Sequence, residues 1–497
     1  MSALAMRSVF LSLFIASTAL AQATPDRVSG SGYFRLAARP DWQGGNGHLG
    51  LWNLYGRLMN EGSYAILELK LDVLQAPPDS TDLWASVHAR LEGGTVGGAD
   101  PLNGSLAAFR LSQLYVRAGN VLFSNVTWRI GTLWYYFGDL GLYDMRPASV
   151  LENAMGVSAW YHGSVLDMMV GVGDSGFSIR GLNYSPMPTL GGMIRLHPGS
   201  HFELGVGGDV EYEPSIVGDR YSPYQTPGVS YEDFVRHEVA LNWVQAHPGQ
   251  ELLFPKPLPA APDVPFRVVG YLGFGKLGPL QWDNLFVSFR RLPTQTSYVE
   301  TYQGRDYTIY TADLTRDRTQ LQIGNEMQLR LVPDRFDIAW ALLYGIDSDP
   351  ANTIQASEAN RTYMSTVLRM QIYLTRSLHI LIEGSMAQEI SRNGNLWREH
   401  YDSIFESTDG ISDSRGLQFG DTNVRNTFQL KGGLVLNPTG IGIYARPSLR
   451  LLYGAQYSSQ QAAFGNGFSD SLSQFNQFPG TELHWHQLIS LEAEGWY

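Results

Sequence analysis

Alternation of apolar and polar positions is the most persistent pattern in this chain. From Tyr64 onward, Tyr64, Ile66, Glu68, Lys70 and Asp72 fall on one side of an extended backbone, and Ala65, Leu67, Leu69, Leu71 and Val73 on the other. A period of two marks a β-strand with one apolar and one polar face. The pattern recurs from Leu83 to Glu92, and with less regular faces over Ser377 to Ser391, Val424 to Asn437, Ile441 to Tyr457 and Glu482 to Tyr497. A shorter instance spans Ser31 to Pro40, with Tyr33 and Arg35 on one face and Phe34 and Leu36 on the other. Roughly eighteen to twenty such segments, many about ten residues long, fit tilted strands that cross a bilayer. A sandwich strand shows the same alternation with the sense reversed, so no single segment decides between the two.

The connections favour the barrel. Short turns such as His162-Gly163 and Pro333-Asp334 contrast with long polar excursions at Pro214 to Glu232, Pro293 to Arg318, Arg392 to Asn423 and Ser458 to Gly480. Periplasmic turns and extracellular loops produce that asymmetry. In the last segment Gly495, Ala493, Leu491, Ile489 and Gln487 are in phase with Tyr497, while Trp496, Glu494, Glu492, Ser490 and Leu488 take the other face. An amphipathic strand ending on an aromatic residue resembles the closing strand of a bacterial outer-membrane barrel. The expectation is an all-β, transmembrane antiparallel barrel.

One stretch departs from the alternation. After FRLSQLYVRAG and NVTWRIGTLWYY comes FGDLGLYDMRPASVLEN, ending at Asn153. Trp134, Tyr135, Tyr136, Phe137, Leu140, Leu142 and Tyr143 are too apolar for an exposed connection, while Asp139, Asp144 and Arg146 are too polar for a closed core. A loop folded into the lumen of a wide, water-filled barrel reconciles the two and predicts a constriction.

Composition and address agree. Arg7 precedes the apolar run VFLSLFIASTAL, and Ala19-Leu20-Ala21 offers a small-residue cleavage site, so residues 1–21 read as a signal peptide and 22–497 as one barrel domain. Charged residues make up 16%, against a soluble average of about 25%. No mature segment reaches the apolar length of a membrane helix. With 26 Tyr and 53 Gly, the chain reads as a Gram-negative outer-membrane protein in contact with lipid. It has no cysteine, which removes disulfide and thiolate chemistry, and its net charge of -12 argues against a nucleic-acid partner. The histidines show no trusted metal spacing; His484 and His486 are i and i+2 on one face, without an evident further ligand. No nucleophile pairs with a base in local sequence, so neither catalysis nor a cofactor is expected.

Several segments, in order, resemble the maltoporins and their sucrose- and β-glucoside-passing relatives. They are GYFR with Tyr33 and Arg35, Gly56 to Leu71, Phe109 to Asn153, ARPSLRLLYGAQY, and the final EGWY; the middle, from about Gly163 to Glu358, does not align by eye. The resemblance implies an 18-stranded, trimeric sugar channel whose third loop folds inward beside an aromatic slide and a polar track. Residue by residue, Tyr33 and Trp496 match slide aromatics, and Arg35, Arg57, Glu68, Arg110, Asp139 and Asp144 match the track. Where the family has Arg and then Tyr at the constriction, this chain has Phe137 and Arg146, an exchange of ring and guanidinium along the same loop. A slide aromatic expected at position 66 is Ile66, with Tyr64 on the same face; Tyr363 matches a further ring in a looser alignment. The family's first-loop cysteine pair is absent. The implied function is passive diffusion of sugars or small oligosaccharides of the maltodextrin type. A general porin and a barrel hydrolase or adhesin are the alternatives.

Overall fold

The computed structural model describes residues 27–43, 47–50, 52–77, 80–94, 109–176, 186–213, 252–253, 262–292, 295–302, 305–315, 317–349, 360–392, 424–459 and 484–496. The proposed leader, and most of the long excursions at 214–232, 392–423 and 458–480, lie outside these residues.

In chain order the strands are β1 (Val28–Ala38), β2 (Tyr64–Leu74), β3 (Trp84–Gly94), β4 (Phe109–Gly119), β5 (Val126–Tyr136), β6 (Ser149–His162), β7 (Leu166–Asp174), β8 (Pro188–Leu196), β9 (Phe202–Glu211), β10 (Leu252–Leu253), β11 (Phe266–Leu277) and β12 (Leu280–Arg291). They continue as β13 (Gln295–Tyr302), β14 (Arg305–Thr315), β15 (Thr319–Val332), β16 (Phe336–Ser348), β17 (Arg361–Tyr373), β18 (Leu378–Ser391), β19 (Val424–Leu436), β20 (Ser448–Ser458) and β21 (Trp485–Trp496). Strands β10, β13 and β14 form a separate three-stranded sheet, and the other eighteen form a single sheet. That sheet is antiparallel throughout and closes, since β1 pairs with both β2 and β21 and β9 pairs with β11. The only helix among the described residues is one turn, α1 (Trp52–Tyr55).

The faces have the sense of a membrane barrel, not of a sandwich. On β2, Leu69, Leu71 and Val73 are exposed, as are Met168, Val170 and Val172 on β7 and Leu449, Leu451 and Tyr453 on β20. Their neighbours of opposite parity turn inward. Lipid rewards the apolar exterior, and closure leaves no sheet edge to satisfy. Outward aromatic pairs sit toward both rims: Tyr457 and Trp485 at the long-loop end, Phe202 and Phe274 at the short-turn end. The protein is therefore an 18-stranded outer-membrane barrel. Short turns gather at one end, as at Gly278-Pro279 between β11 and β12, and long loops at the other.

Two expected elements differ. The segment from Ile441 to Tyr457 is a strand only from Ser448; residues 437–447 form a turn that folds into the lumen, with Ile443 buried there. Glycines at 440 and 442 with positive φ, and the missing N–H of Pro447, explain why ladder pairing does not extend through it. The excursion from Pro293 to Arg318 carries the β13–β14 hairpin, so it is not a plain polar loop.

The lumen is not simply water-filled. An apolar core occupies much of it, built from Leu54 and Tyr55 of the first loop (39–63), Leu140, Leu142 and Tyr143 of the third loop (137–148), and wall residues including Ala339, Ala341, Leu343 and Val367.

Candidate functional site

The third loop enters the lumen because β5 leaves β4 at Gly131. Pairing between the two ends at Tyr115↔Gly131, while β5 stays paired with β6 as far as Tyr136↔Ser149. Gly131 has φ +124°, and a Cβ there would lie 2.3 Å from the Leu114 carbonyl oxygen, so only glycine fits this departure. The Thr132 hydroxyl then accepts from the Leu114 N–H at 2.9 Å and donates to the Leu114 carbonyl at 3.1 Å, satisfying the backbone that β5 abandons.

Leaning inward exchanges the roles of the strand's faces. Leu133, Tyr135 and Phe137, in phase with luminal Arg129, are pressed onto the wall. Tyr135 packs edge-on against Trp160 at 5.4 Å, and Phe137 stacks on Tyr271 at 5.7 Å with the Arg195 guanidinium 5.6 Å from its ring. Trp134 and Tyr136, in phase with lipid-facing Ile130, now border the open side, and the Arg146 guanidinium lies over both rings at 5.1 and 4.8 Å. The tip reaches the opposite wall. The Leu142 N–H donates to Glu326 at 2.8 Å, Tyr143 bonds Ser365 at 2.9 Å, and Tyr444 of the inward turn donates to the other Glu326 oxygen at 2.6 Å.

Beside this bridge sits the cluster that the sequence pointed to. Tyr33 lies between Tyr64, with centroids 6.1 Å apart, and Trp496 at 5.8 Å. All three are on the luminal face, and Trp496 is 58% exposed. Arg57, from the first loop, donates to the Tyr33 hydroxyl at 2.8 Å and to Glu494 at 2.9 Å, and its Nε is 3.2 Å from Glu61. Arg35 pairs with Glu61 and lies 3.9 Å from Asp144. Glu494 also receives Arg446 at 2.9 Å and Arg450 at 2.7 Å. Asp139 and Asp144 both feel the charge of Arg146.

The structure thus brings together Tyr33, Tyr64, Trp496, Arg35, Arg57, Asp139, Asp144 and Arg146. Glu68 lies further along the β2–β4 wall, accepting from Tyr115 at 3.2 Å with His88 3.4 Å away. The side chain of Arg110 lies outside the described residues; its backbone pairs with Glu92. Two sites need correction. Phe137, 5% exposed, is buried against Tyr271 on the wall and is not paired with Arg146; Trp134 and Tyr136 supply the rings beside that guanidinium. Tyr363, also 5% exposed, belongs to the filled side, under Arg361 and bonded by Gln322 at 2.9 Å. Glu61 and Glu494 were missed. Glu494 shares the luminal parity of Trp496 and was legible on that ground, whereas Glu61 lies in a loop without periodicity. The two histidines diverge: His486 meets Asp41 at 2.9 Å and His484 stacks on Tyr457.

Burial pushes the Glu61 carboxyl from 4.5 up to about 8, with Arg35 and Arg57 opposing and Asp144 reinforcing the shift. Burial would raise Asp144 too, but Arg57, a hydrogen bond from Glu61 and Arg35 hold it below its ordinary range. Together they form a carboxyl–carboxylate pair that shares a proton. The folded state keeps that proton where the unfolded chain loses it, so this contribution to stability is fully present below pH 4.5 and is lost as pH rises through about 8. Ionisation also adds a negative charge in the lumen, beside Asp144 of the third loop. The cation-to-anion permeability ratio, read from reversal potentials in a KCl gradient, is expected to rise through about pH 8, and Glu61→Gln to flatten that rise. A wild-type ratio constant across that range would contradict it.

No protein-family model matches the chain, and no curated protein matches it. Among solved structures, it is similar to the outer-membrane channel DcaP of Acinetobacter baumannii, at 12% identity and TM-score 0.42 over 73% of this chain and 91% of that one. It is similar to OccAB1 of the same organism, at 8% identity and TM-score 0.43 over 95% and 96%, and to OprD of Pseudomonas aeruginosa, at 9% and 0.39 over 95% of each. These likenesses are of barrel outline only; the assignment of fold rests on the strand pairing.

Proposed function

We propose that the protein is a passive diffusion channel for sugars and small oligosaccharides of the maltodextrin type, a maltoporin-like trimer that transports and does not catalyse. The observation that carries this reading is the run of luminal rings Tyr64, Tyr33 and Trp496 beside the Arg35–Arg57–Glu61–Asp144 cluster, where the third loop narrows the lumen. A sugar offers C–H faces to rings and hydroxyls to ionised groups, and passage requires that each contact be weak. Tyr136, 40% exposed, and the exposed Trp496 are surfaces a solute can reach. The burial of Phe137 favours a second reading, a general porin, since it removes one ring from the path.

The test is conductance in planar bilayers with maltose, maltotriose and sucrose titrated against the ion current. Stepwise currents in threes and saturable block by one sugar series support the proposal. Trp496→Ala is expected to weaken the block about fivefold, the factor for roughly 1 kcal/mol of lost stacking. Currents indifferent to every sugar would select the general porin, and absence of current would remove the channel reading.

A further inference from the structure

The cationic side chains of the lumen include two contrasting populations. On the filled side Arg39, Arg361, Arg369, Arg425, Lys431 and Arg450 each have a buried carboxylate within 3 Å. Along β4, β5 and the third loop, Arg117, Arg129 and Arg146 have no ion-pair partner among the described residues. They lie instead on rings: Arg117 is 5.7 Å from Trp84, Arg129 is 3.7 Å from Tyr115 and 5.6 Å from Tyr135, and Arg146 covers Trp134 and Tyr136.

The arrangement is costly as it stands. Arg117 and Arg129 are direct cross-strand partners, a like-charge pairing that destabilises a ladder. Arg129 settles part of its donor capacity on the Thr132 carbonyl at 2.7 Å and on Gln113 at 3.3 Å, neither of which carries charge. Arg146 Nε is buried without a hydrogen-bond partner. A ring beneath a guanidinium holds it flat and leaves the N–H edge free, which is the geometry that grips an oxyanion. No carboxylate in this sector forms an ion pair with these cations: Glu68 is taken by Tyr115 and Glu92 by Arg90 at 2.8 Å, while Asp139 and Asp144 act on Arg146 only through their charge.

We infer that Arg146 and, nearer the β4–β5 turn, the side-by-side pair Arg129 and Arg117 form successive oxyanion sites, and that the solute is an acidic sugar bearing a carboxylate or phosphate beside its hydroxylated ring. The series runs from the third loop to the β4–β5 turn, so it serves the half of the path beyond the constriction. The inference rests on the sugar-channel reading and narrows its substrate class.

Binding and flux are measured separately, so that the two readings can fail separately. Calorimetry on the purified barrel at low salt compares D-glucose, D-glucuronate and D-glucose 6-phosphate. At least one acidic sugar is expected to bind about tenfold or more tightly than glucose, the factor for one charge-assisted hydrogen bond. Which of the two binds better identifies carboxylate or phosphate. In Arg117→Gln/Arg129→Gln the advantage is expected to fall to within about twofold on the same reasoning. Arg146→Gln, which breaks no ion pair, gives an independent loss if the double variant does not fold. Equal binding of all three sugars by the native barrel, or discrimination intact in folded variants, overturns the inference. Acidic-sugar binding without any ion current leaves the oxyanion sites standing and removes the channel.

Discussion

Glu383→Ala is expected to destabilise the barrel by about 3–5 kcal/mol, the cost of leaving buried charge unpaired. Glu383, on β18, accepts from Arg369 Nε at 2.7 Å through one oxygen and from Lys431 Nζ at 2.9 Å through the other. All three side chains are essentially without solvent contact. Lys431 also donates to the Tyr55 carbonyl at 3.0 Å, so this carboxylate ties the first loop to the wall through a cation. Removing it strands two charges against the apolar core, since no other described carboxylate forms an ion pair with either. The check is the denaturant midpoint of the detergent-solubilised protein, with Glu383→Gln included because an amide keeps the volume but not the charge. A midpoint within error of wild type in both variants would show that the lumen there is wetter than the structure has it.

Replacing residues 138–147 by a two-residue Asn-Gly turn is expected to raise the unitary conductance several-fold and to abolish any sugar block. The loop crosses the lumen, with Phe137 seated at Tyr271 on one wall and Tyr143 at Ser365 on the other. Its buried Leu140, Leu142 and Tyr143 displace water that would otherwise conduct. Asn-Gly suits a tight connection between the paired ends of β5 and β6. Unchanged conductance in a folded variant would place the ion path elsewhere in the lumen.

The barrel itself was legible because lipid and lumen impose opposite chemistry on alternate residues, and β2 obeys that rule from Tyr64 to Val73. The inward course of the third loop was legible from its mixture of rings and charges. Which ring would face the path was not. Parity along β5 assigns Phe137 to the luminal side, correctly, but beyond Gly131 the strand no longer stands in the wall, and its luminal face is the one that is covered. Trp134 and Tyr136 become available by the same tilt. No local periodicity encodes that tilt; a glycine at 131 and a threonine at 132 are its only marks in the chain. The filling of the lumen was hidden for a similar reason, since the residues of the first loop that build it, such as Leu54 and Tyr55, sit outside any repeating pattern.

The packed lumen bears on the life of the chain before it reaches the bilayer. Strand β16 meets lipid with Leu342 and Tyr344 and the inner core with Ala339, Ala341 and Leu343, so it is apolar on both faces. Its run Ile338 to Tyr344 contains no charge, proline or glycine. Such a segment, while unpaired, has the composition that recruits identical strands into aggregates. The same side chains that seat the third loop therefore make the unfolded polypeptide dependent on shielding until β15 and β17 close over it.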